Sequence, residues 1–557
     1  MLADENKSTK MKICSCTEQK GSTLESTIAA GVIPMRNDGS KQNDGCLIFR
    51  PVLVQKSRGP HIHELVYATD QNWDTFRSDI VLKDEGIIIS DTEGHKDFGI
   101  NVRWQVEGFG AGYITADNGG DYYQIPASRT RVVLNLNFEL AKSRVARNQK
   151  RLKIFLAHKW NPSREVKNFL ELSQEYLGDA SKVQNNDEKC GQLAQKSLFY
   201  ALWGSEMMEL EKARFDIASR GWRKNFYFGC DARNYYHMPK TVFMERFKEL
   251  FNYANLSYVV NGDDQMLLFE PQEGKLQFEL RDLLFQNLRK EGITVGGRLL
   301  FWFHHWVTPE WLKKKSFDDL KKYVEKHTRE VIGHYGDGMY AWEIVNEFHD
   351  WANEVQVTPE QALELTRLAC EVARDTAPQV KRLINNCCPF AEYVQLKQWS
   401  GQPALYPQRT PWQFTRDLVE VGVDFDIIAQ QVYFPYHDLQ DTILMLERYE
   451  VFQKPVQLSE VGAPGGLTKE SVLLDKVKIP NEPYIWHRNW DEELQADWLE
   501  QIYTLAYSKP FIEAVNWFDF IDIESYMDNG GLLTADGKKK AAFDRLLNLQ
   551  NGWRKQV

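Results

Sequence analysis

No run of about 18 apolar residues occurs in this chain of 557, so a membrane-spanning helix is not expected. An excess of basic charge is missing too. The formal net charge is −10, which argues against a nucleic-acid binder, because phosphate neutralisation wants a positive surface. Cysteine is sparse and unpatterned. Cys14, Cys16, Cys46, Cys190, Cys230, Cys370, Cys387 and Cys388 show no zinc-like paired spacing. "CSC" and "CC" make a poor disulfide framework, so most are expected to be buried free thiols. The opening "MLADENKSTKMKICSCTEQKG" lacks the apolar stretch of a secretory signal. Either the protein stays inside the cell or its signal was removed from this chain, and the compartment stays undecided.

What the chain has in quantity is apolar and aromatic surface. Hydrophobic residues make up 43% and aromatics 13%, with 17 Trp and 23 Tyr. That is enough for large cores, and the length asks for two or three domains. Flat rings also suit sugar clefts, which need apolar faces beside hydrogen-bonding groups.

The texture changes along the chain. Residues 1–44 are polar and read as a poorly ordered arm. Over 45–163, β-prone runs such as "CLIFRPVLVQ", "FGINVRWQVEGFGAGYIT" and "RVVLNLNFEL" are separated by Gly/Asp/Asn turns, predicting an all-β sandwich with "RLKIFLAHKW" as its last strand. Residues 164–223 carry apolar positions at helical spacing and read as a helical connector. From 224 to 557, eight short apolar strands alternate with amphipathic helices, the pattern of a (β/α)₈ TIM barrel and thus of an α/β fold. A doubly wound sheet also alternates, but no Gly-rich phosphate loop follows the first strand here.

Barrel chemistry gathers at the C-terminal ends of the strands. The fourth strand, "MYAWEIVNE", ends in Asn346 and Glu347; the sixth ends with Gln431 and Tyr433; the seventh, "PVQLSEV", carries Glu460; the eighth ends in Trp517. Two glutamates on strands four and seven lie across the mouth from one another. A pair about 5–5.5 Å apart suits double-displacement hydrolysis of a glycoside with retention. One must be protonated to release the leaving group, and the other ionised to attack the anomeric carbon. The bland reading of either residue is a solvated strand end or a rim ion pair, and Arg298 is a candidate partner for Glu460.

These segments resemble glycoside hydrolase family 10, the xylanase family of retaining barrels. "WEIVNE" looks like its acid/base segment, "VQLSE" its nucleophile segment, and "GRLLFWFHHWVTPEWL" its third-strand segment. "FEPQEGKLQFELRDLLFQNLRKEGI", "FDIIAQQVY" and "VNWFDFIDIESYMDNGGLLTADGKKKAAFDRLL" are similar to further stretches, so the resemblance covers about 224–550. It implies Glu347 as acid/base and Glu460 as nucleophile, with no cofactor or metal and a polysaccharide or oligosaccharide as partner. It also implies endo action and a secreted or periplasmic location; a monomer is expected. Departures lie in sugar recognition. The second-strand Glu-Asn and Lys-Trp are absent from "NLSYVVNGDDQML", and Arg298, Phe303 and Tyr433 stand where the family has His.

Asn346 can donate to the sugar 2-OH, a contact that strengthens in the transition state. Gln431 is a rim amide or an orienter, and Tyr433 a core phenol or the residue that orients Glu460. Trp302 stacks on sugar or fills core, while Trp517 is placed to stack beneath the ring being cleaved. His304 and His305 join the substrate-binding candidates; as strand neighbours they would point oppositely and chelate nothing. "ADNGGD" (116–121) reads as a turn rather than a calcium loop. Trp73, Trp104, Tyr113, Tyr122 and Tyr123 make the first domain a carbohydrate-binding module by association or a packing domain by default. The resulting expectation is a retaining endo-β-glycanase acting on β-1,4-xylan or a related polysaccharide. The alternatives are a barrel glycosidase for glucan, mannan or galactan, and a silent polysaccharide-binding protein.

Overall fold

A computed structural model of the protein describes residues 45–52, 66–127, 129–260, 268–399, 402–433, 436–466 and 485–555. The arm expected over 1–44 lies outside them, as does 261–267 of the second-strand segment.

The C-terminal part is a closed parallel barrel. Its strands are β1 (Tyr227–Asp231), β2 (Tyr253–Ser257), β3 (Thr294–Arg298), β4 (Ala341–Asn346), β5 (Lys381–Asn386), β6 (Ile427–Val432), β7 (Val456–Val461) and β8 (Ile512–Trp517). They pair in sequence order, and β8 closes on β1. Each is followed by a helix, from Lys240–Leu250 after β1 to Ala541–Arg554 after β8. Local chemistry sets several starts. Thr358 and Thr410 each form a capping box, with Gln361 and Gln413, and a Pro follows directly in the first turn. The barrel strands are buried on both faces, as a parallel sheet under helices requires.

Ahead of the barrel lie two sheets and three helices. One sheet runs Asp79–Lys83, Gly86–Asp91, Cys46–Arg50, Arg131–Asn135. The other runs Ile485–Trp486, Gly110–Ala116, Gly99–Val106, Tyr67–Thr69, Thr75–Phe76. Their inner faces pack on α1 (Leu136–Ala157) and α3 (Asp187–Arg220), with α2 (Arg164–Ser181) between those helices in sequence.

The last strand expected at 151–160 is instead the end of α1. Strand Arg131–Asn135 stops where the Asn135 side chain accepts from the Phe138 N–H and caps the helix. The buried face of α1 carries Arg144, Asn148 and Arg151 among its apolar residues, so its amphipathic stripe is disguised. Asp117 caps the turn at "ADNGGD" by accepting from the Gly120 N–H. Cys46, Cys190, Cys230 and Cys370 are free thiols. No helix among the described residues is long and apolar enough to cross a membrane.

The first layer and the barrel interlock. Ile485–Trp486, from the segment between β7 and its following helix, pairs antiparallel with Gly110 and Ala111 at the layer's edge. The Tyr113 N–H donates to the Tyr436 carbonyl at 2.6 Å. Arg144, fully buried, donates to Asp438 at 3.0 Å, to Asp441 at 2.8 Å and to Gln440 at 3.1 Å, all at the start of the helix after β6.

Candidate active site

Glu347 follows β4 directly, with φ +56°. That left-handed conformation costs a non-glycine residue about 1–3 kcal/mol, and such outliers concentrate at functional sites. Its N–H donates to the Asn385 carbonyl at 2.9 Å. The β4–β5 ladder shifts register between Glu343 and Val345, just before this point. A second irregularity pairs Gln430 with Leu458 but Gln431 with Glu460, leaving Ser459 as the extra residue. Bulges of this kind re-aim side chains beside active sites. Here they set the amide of β6 opposite the carboxylate of β7.

The Glu347 carboxylate accepts from Trp302 Nε1 at 2.8 Å and from Gln431 Nε2 at 2.9 Å. Gln431 also donates to Asn346 Oδ1 at 3.2 Å. Glu460 accepts from Tyr433 Oη at 2.7 Å and Asn385 Nδ2 at 3.1 Å, and forms an ion pair with Arg298. Arg298 also donates to Asp231 at 3.0 Å and lies 3.7 Å from Glu343. Burial works against the Arg298 charge, yet Glu460, Glu343 and Asp231 outweigh it and hold its pKa above the usual value. It is therefore a permanent cation beside Glu460. Glu343 sits in the opposite situation. Burial and the nearby Glu460 and Glu347 carboxylates push it up to about 8, against the pull of Arg298 and Asn385.

The structure thus brings Trp302, Asn346, Gln431, Glu347, Tyr433, Arg298 and Glu460 into one network. Three other candidates sit differently. Trp517 is wholly buried, with Nε1 donating to the Gly530 carbonyl at 3.0 Å, and it shows no open face on which a sugar could stack. His304 and His305 lie in a turn beyond β3 rather than on a strand, and their rings approach to 4.3 Å. His304 is buried against Trp302 and pushed well below its ordinary pKa by burial and His305, whereas His305 is exposed. Among the described residues no group of three His, Cys, Asp or Glu side chains is placed to hold a metal. Glu347 and Glu460 are both 0% exposed.

Two participants escaped the sequence reading. Asp231, closing β1, accepts from Arg298 and from Ser257 Oγ at 3.0 Å. Asn385, on β5, ties both glutamates. Each is a polar residue at the end of an apolar strand, the signal that singled out Asn346 and Glu347. In the first layer Trp104, Tyr113 and Tyr123 are buried, so they build no open platform for sugar rings.

The sequence profile of Glycosyl hydrolase family 10 matches residues 222–549. Among curated relatives, Endo-1,4-beta-xylanase 2 of Claviceps purpurea is 29% identical over 121 residues, 21% of this chain and 37% of that protein. Endo-1,4-beta-xylanase 1 of Arabidopsis thaliana is 19% identical over 382 residues, 67% of this chain and 35% of that protein. This chain therefore spans little more than a third of either relative. Among solved structures, native xylanase 10B from Thermotoga maritima aligns with a TM-score of 0.46 at 16% identity, over 62% of this chain and 99% of that one.

Proposed function

We propose, since this chain belongs to glycosyl hydrolase family 10, that it hydrolyses a β-linked polysaccharide by double displacement with retention. Glu347 serves as acid/base and Glu460 as nucleophile. The observation that carries this is Asn385. Its carbonyl accepts from the Glu347 N–H while its amide donates to the Glu460 carboxylate, so one residue of β5 sets the spacing of two acids on β4 and β7. Glu347 donates its proton to the departing glycosidic oxygen as Glu460 attacks the anomeric carbon, giving a glycosyl-enzyme. Glu347 then removes a proton from water, which displaces Glu460. Tyr433, Asn385 and Arg298 aim Glu460 and hold positive charge beside it; Trp302 and Gln431 fix Glu347. The relatives' names favour β-1,4-xylan, and endo action comes from the family.

The test is the Glu460→Ala variant on aryl β-xylosides. It should lose turnover by roughly 10⁴-fold or more, while a 2-fluoro-xyloside should label wild type on the peptide containing Glu460. Unchanged hydrolysis by the variant would overturn the assignment. One feature favours a silent polysaccharide-binding protein instead: both carboxylates are fully buried and engaged by the protein's own side chains. Binding of xylan with no reducing ends released would select that reading.

A further inference from the structure

A cavity of about 60 Å³ lies where the first layer meets the barrel mouth. It has room for roughly four to six waters at about 10–15 Å³ each, the displacement of a single pyranose ring. Its walls come from three parts of the chain. Tyr113 belongs to the layer strand Gly110–Ala116, Phe390 and Glu392 to the segment after β5, and Gln431, Tyr433 and His437 to β6 and beyond. Gln431 and Tyr433 are the residues that hydrogen-bond Glu347 and Glu460. The cavity thus shares two wall residues with the network around the two glutamates.

The walls are held by contacts between layer and barrel. Thr75 Oγ1 donates to the Phe390 carbonyl at 2.7 Å. His437 is gripped by the Phe390 ring, by the Tyr113 ring 5.5 Å away and by Tyr67 Oη, 3.2 Å from its Nε2. Two polar groups in this wall are underused. The Glu392 carboxyl, only 7% exposed, is met by its own backbone N–H and by no described side chain. His437 Nδ1 is buried without a partner. Burial pushes Glu392 up to about 7 and holds His437 neutral, at about 3. A buried polar atom left without a partner, as His437 Nδ1 is, costs about 1–3 kcal/mol, and a ligand rich in hydroxyls recovers it.

We propose that this cavity is a subsite for one neutral sugar ring of a bound glycan, with Glu392 and His437 taking its hydroxyls and Tyr113 of the first layer closing its outer wall. The inference rests on the reading of the barrel as a β-glycan site. It gives the layer a part in choosing substrate that needs no aromatic platform. It also sets a preference, because a carboxylate with no cation beside it disfavours a uronic acid in the same place.

Titration calorimetry tests it on the full-length Glu460→Ala protein, which leaves ligand uncut. The probes are xylobiose, xylotriose, xylotetraose and a xylotetraose bearing one glucuronic acid. Affinity should rise by about tenfold as the chain gains the ring that fills the cavity, the worth of one or two hydrogen bonds. Adding Glu392→Gln or Tyr113→Ala should remove that rise. Glu392→Gln, which conserves shape and folding, should also narrow the discrimination against the acidic probe. Affinity that falls equally for every length, or is the same in all three proteins, overturns the subsite. Loss of the rise in Tyr113→Ala alone, with Glu392→Gln unchanged, also overturns the role given to the carboxyl. If wild type hydrolyses nothing while the length dependence persists and is lost in both variants, the catalytic reading fails and the subsite stands. Hydrolysis with length-independent binding sinks the subsite alone.

Discussion

At the barrel mouth Arg298 faces Asp231, Glu343 and Glu460, and Arg233 lies 3.7 Å from Asp231. At the seam between the first layer and the barrel, Arg144, Arg147 and Arg151 face Asp438, Asp441, Asp117, Glu209 and Glu447, and Lys509 adds a further cation to Glu447. Both regions bury charge. At the seam each of these five carboxylates meets a guanidinium at 3.3 Å or closer, which suits fixed attachment. At the mouth Glu343 has only a 3.7 Å contact with Arg298, and its Oε1 lacks a hydrogen bond. A deficit of cations leaves a proton near the site that can come and go, and perturbed groups of this kind mark chemistry more often than glue. The same residue types thus do two jobs, decided by how many cations each carboxylate can reach.

The largest expected effect comes from removing one side of the seam. A protein of residues 222–557 alone would leave Asp438, Asp441 and Glu447 without Arg144, Arg147 and Arg151, and Ile485–Trp486 without its strand partner. It should fail to give a cooperative urea transition, whereas the whole chain should unfold in one step. A soluble barrel with an unchanged urea midpoint would break the comparison. Smaller in scale, Arg144→Ala strands the buried Asp438 and leaves Asp441 with Arg147 alone, and should cost about 3–5 kcal/mol, read as a lower urea midpoint. An equal loss in Arg144→Lys would show that the forked geometry is required there and that charge alone does not suffice.

The smallest effect concerns the mouth and pH. Glu343 is neutral below about 8. As pH rises through that value it gains a negative charge beside Glu460 and competes with it for Arg298, which both contact. Hydrolysis should therefore decline above about pH 8, and Glu343→Gln should shift or remove that alkaline limb. An identical limb in the variant would assign it elsewhere.

Much of the barrel was legible before any coordinates. Eight apolar runs spaced by amphipathic helices leave few other ways to bury both faces of each strand. The rule that strand ends carry the chemistry then led to Glu347, Glu460, Gln431 and Tyr433. It would have led to Asp231 and Asn385 had every strand end been given equal weight. Helix α1 was misread because Arg144, Asn148 and Arg151 occupy its buried face, and a hydrophobicity pattern takes such residues as outward. Their partners lie in sequence nearly 300 positions away (294 for Asp438, 296 for Glu447), beyond any local window.

Composition and period determined by themselves that this chain would close a parallel barrel and set two glutamates on its rim. Those depend on neighbours a few residues apart, which the order of amino acids states directly. Only the folded chain decided that Asn385 would tie both acids, that Trp517 would go to the core, and that a strand from the barrel would finish the sheet of the layer before it. Each of those depends on which distant groups share a small volume, and electrostatics and packing act on distance in space.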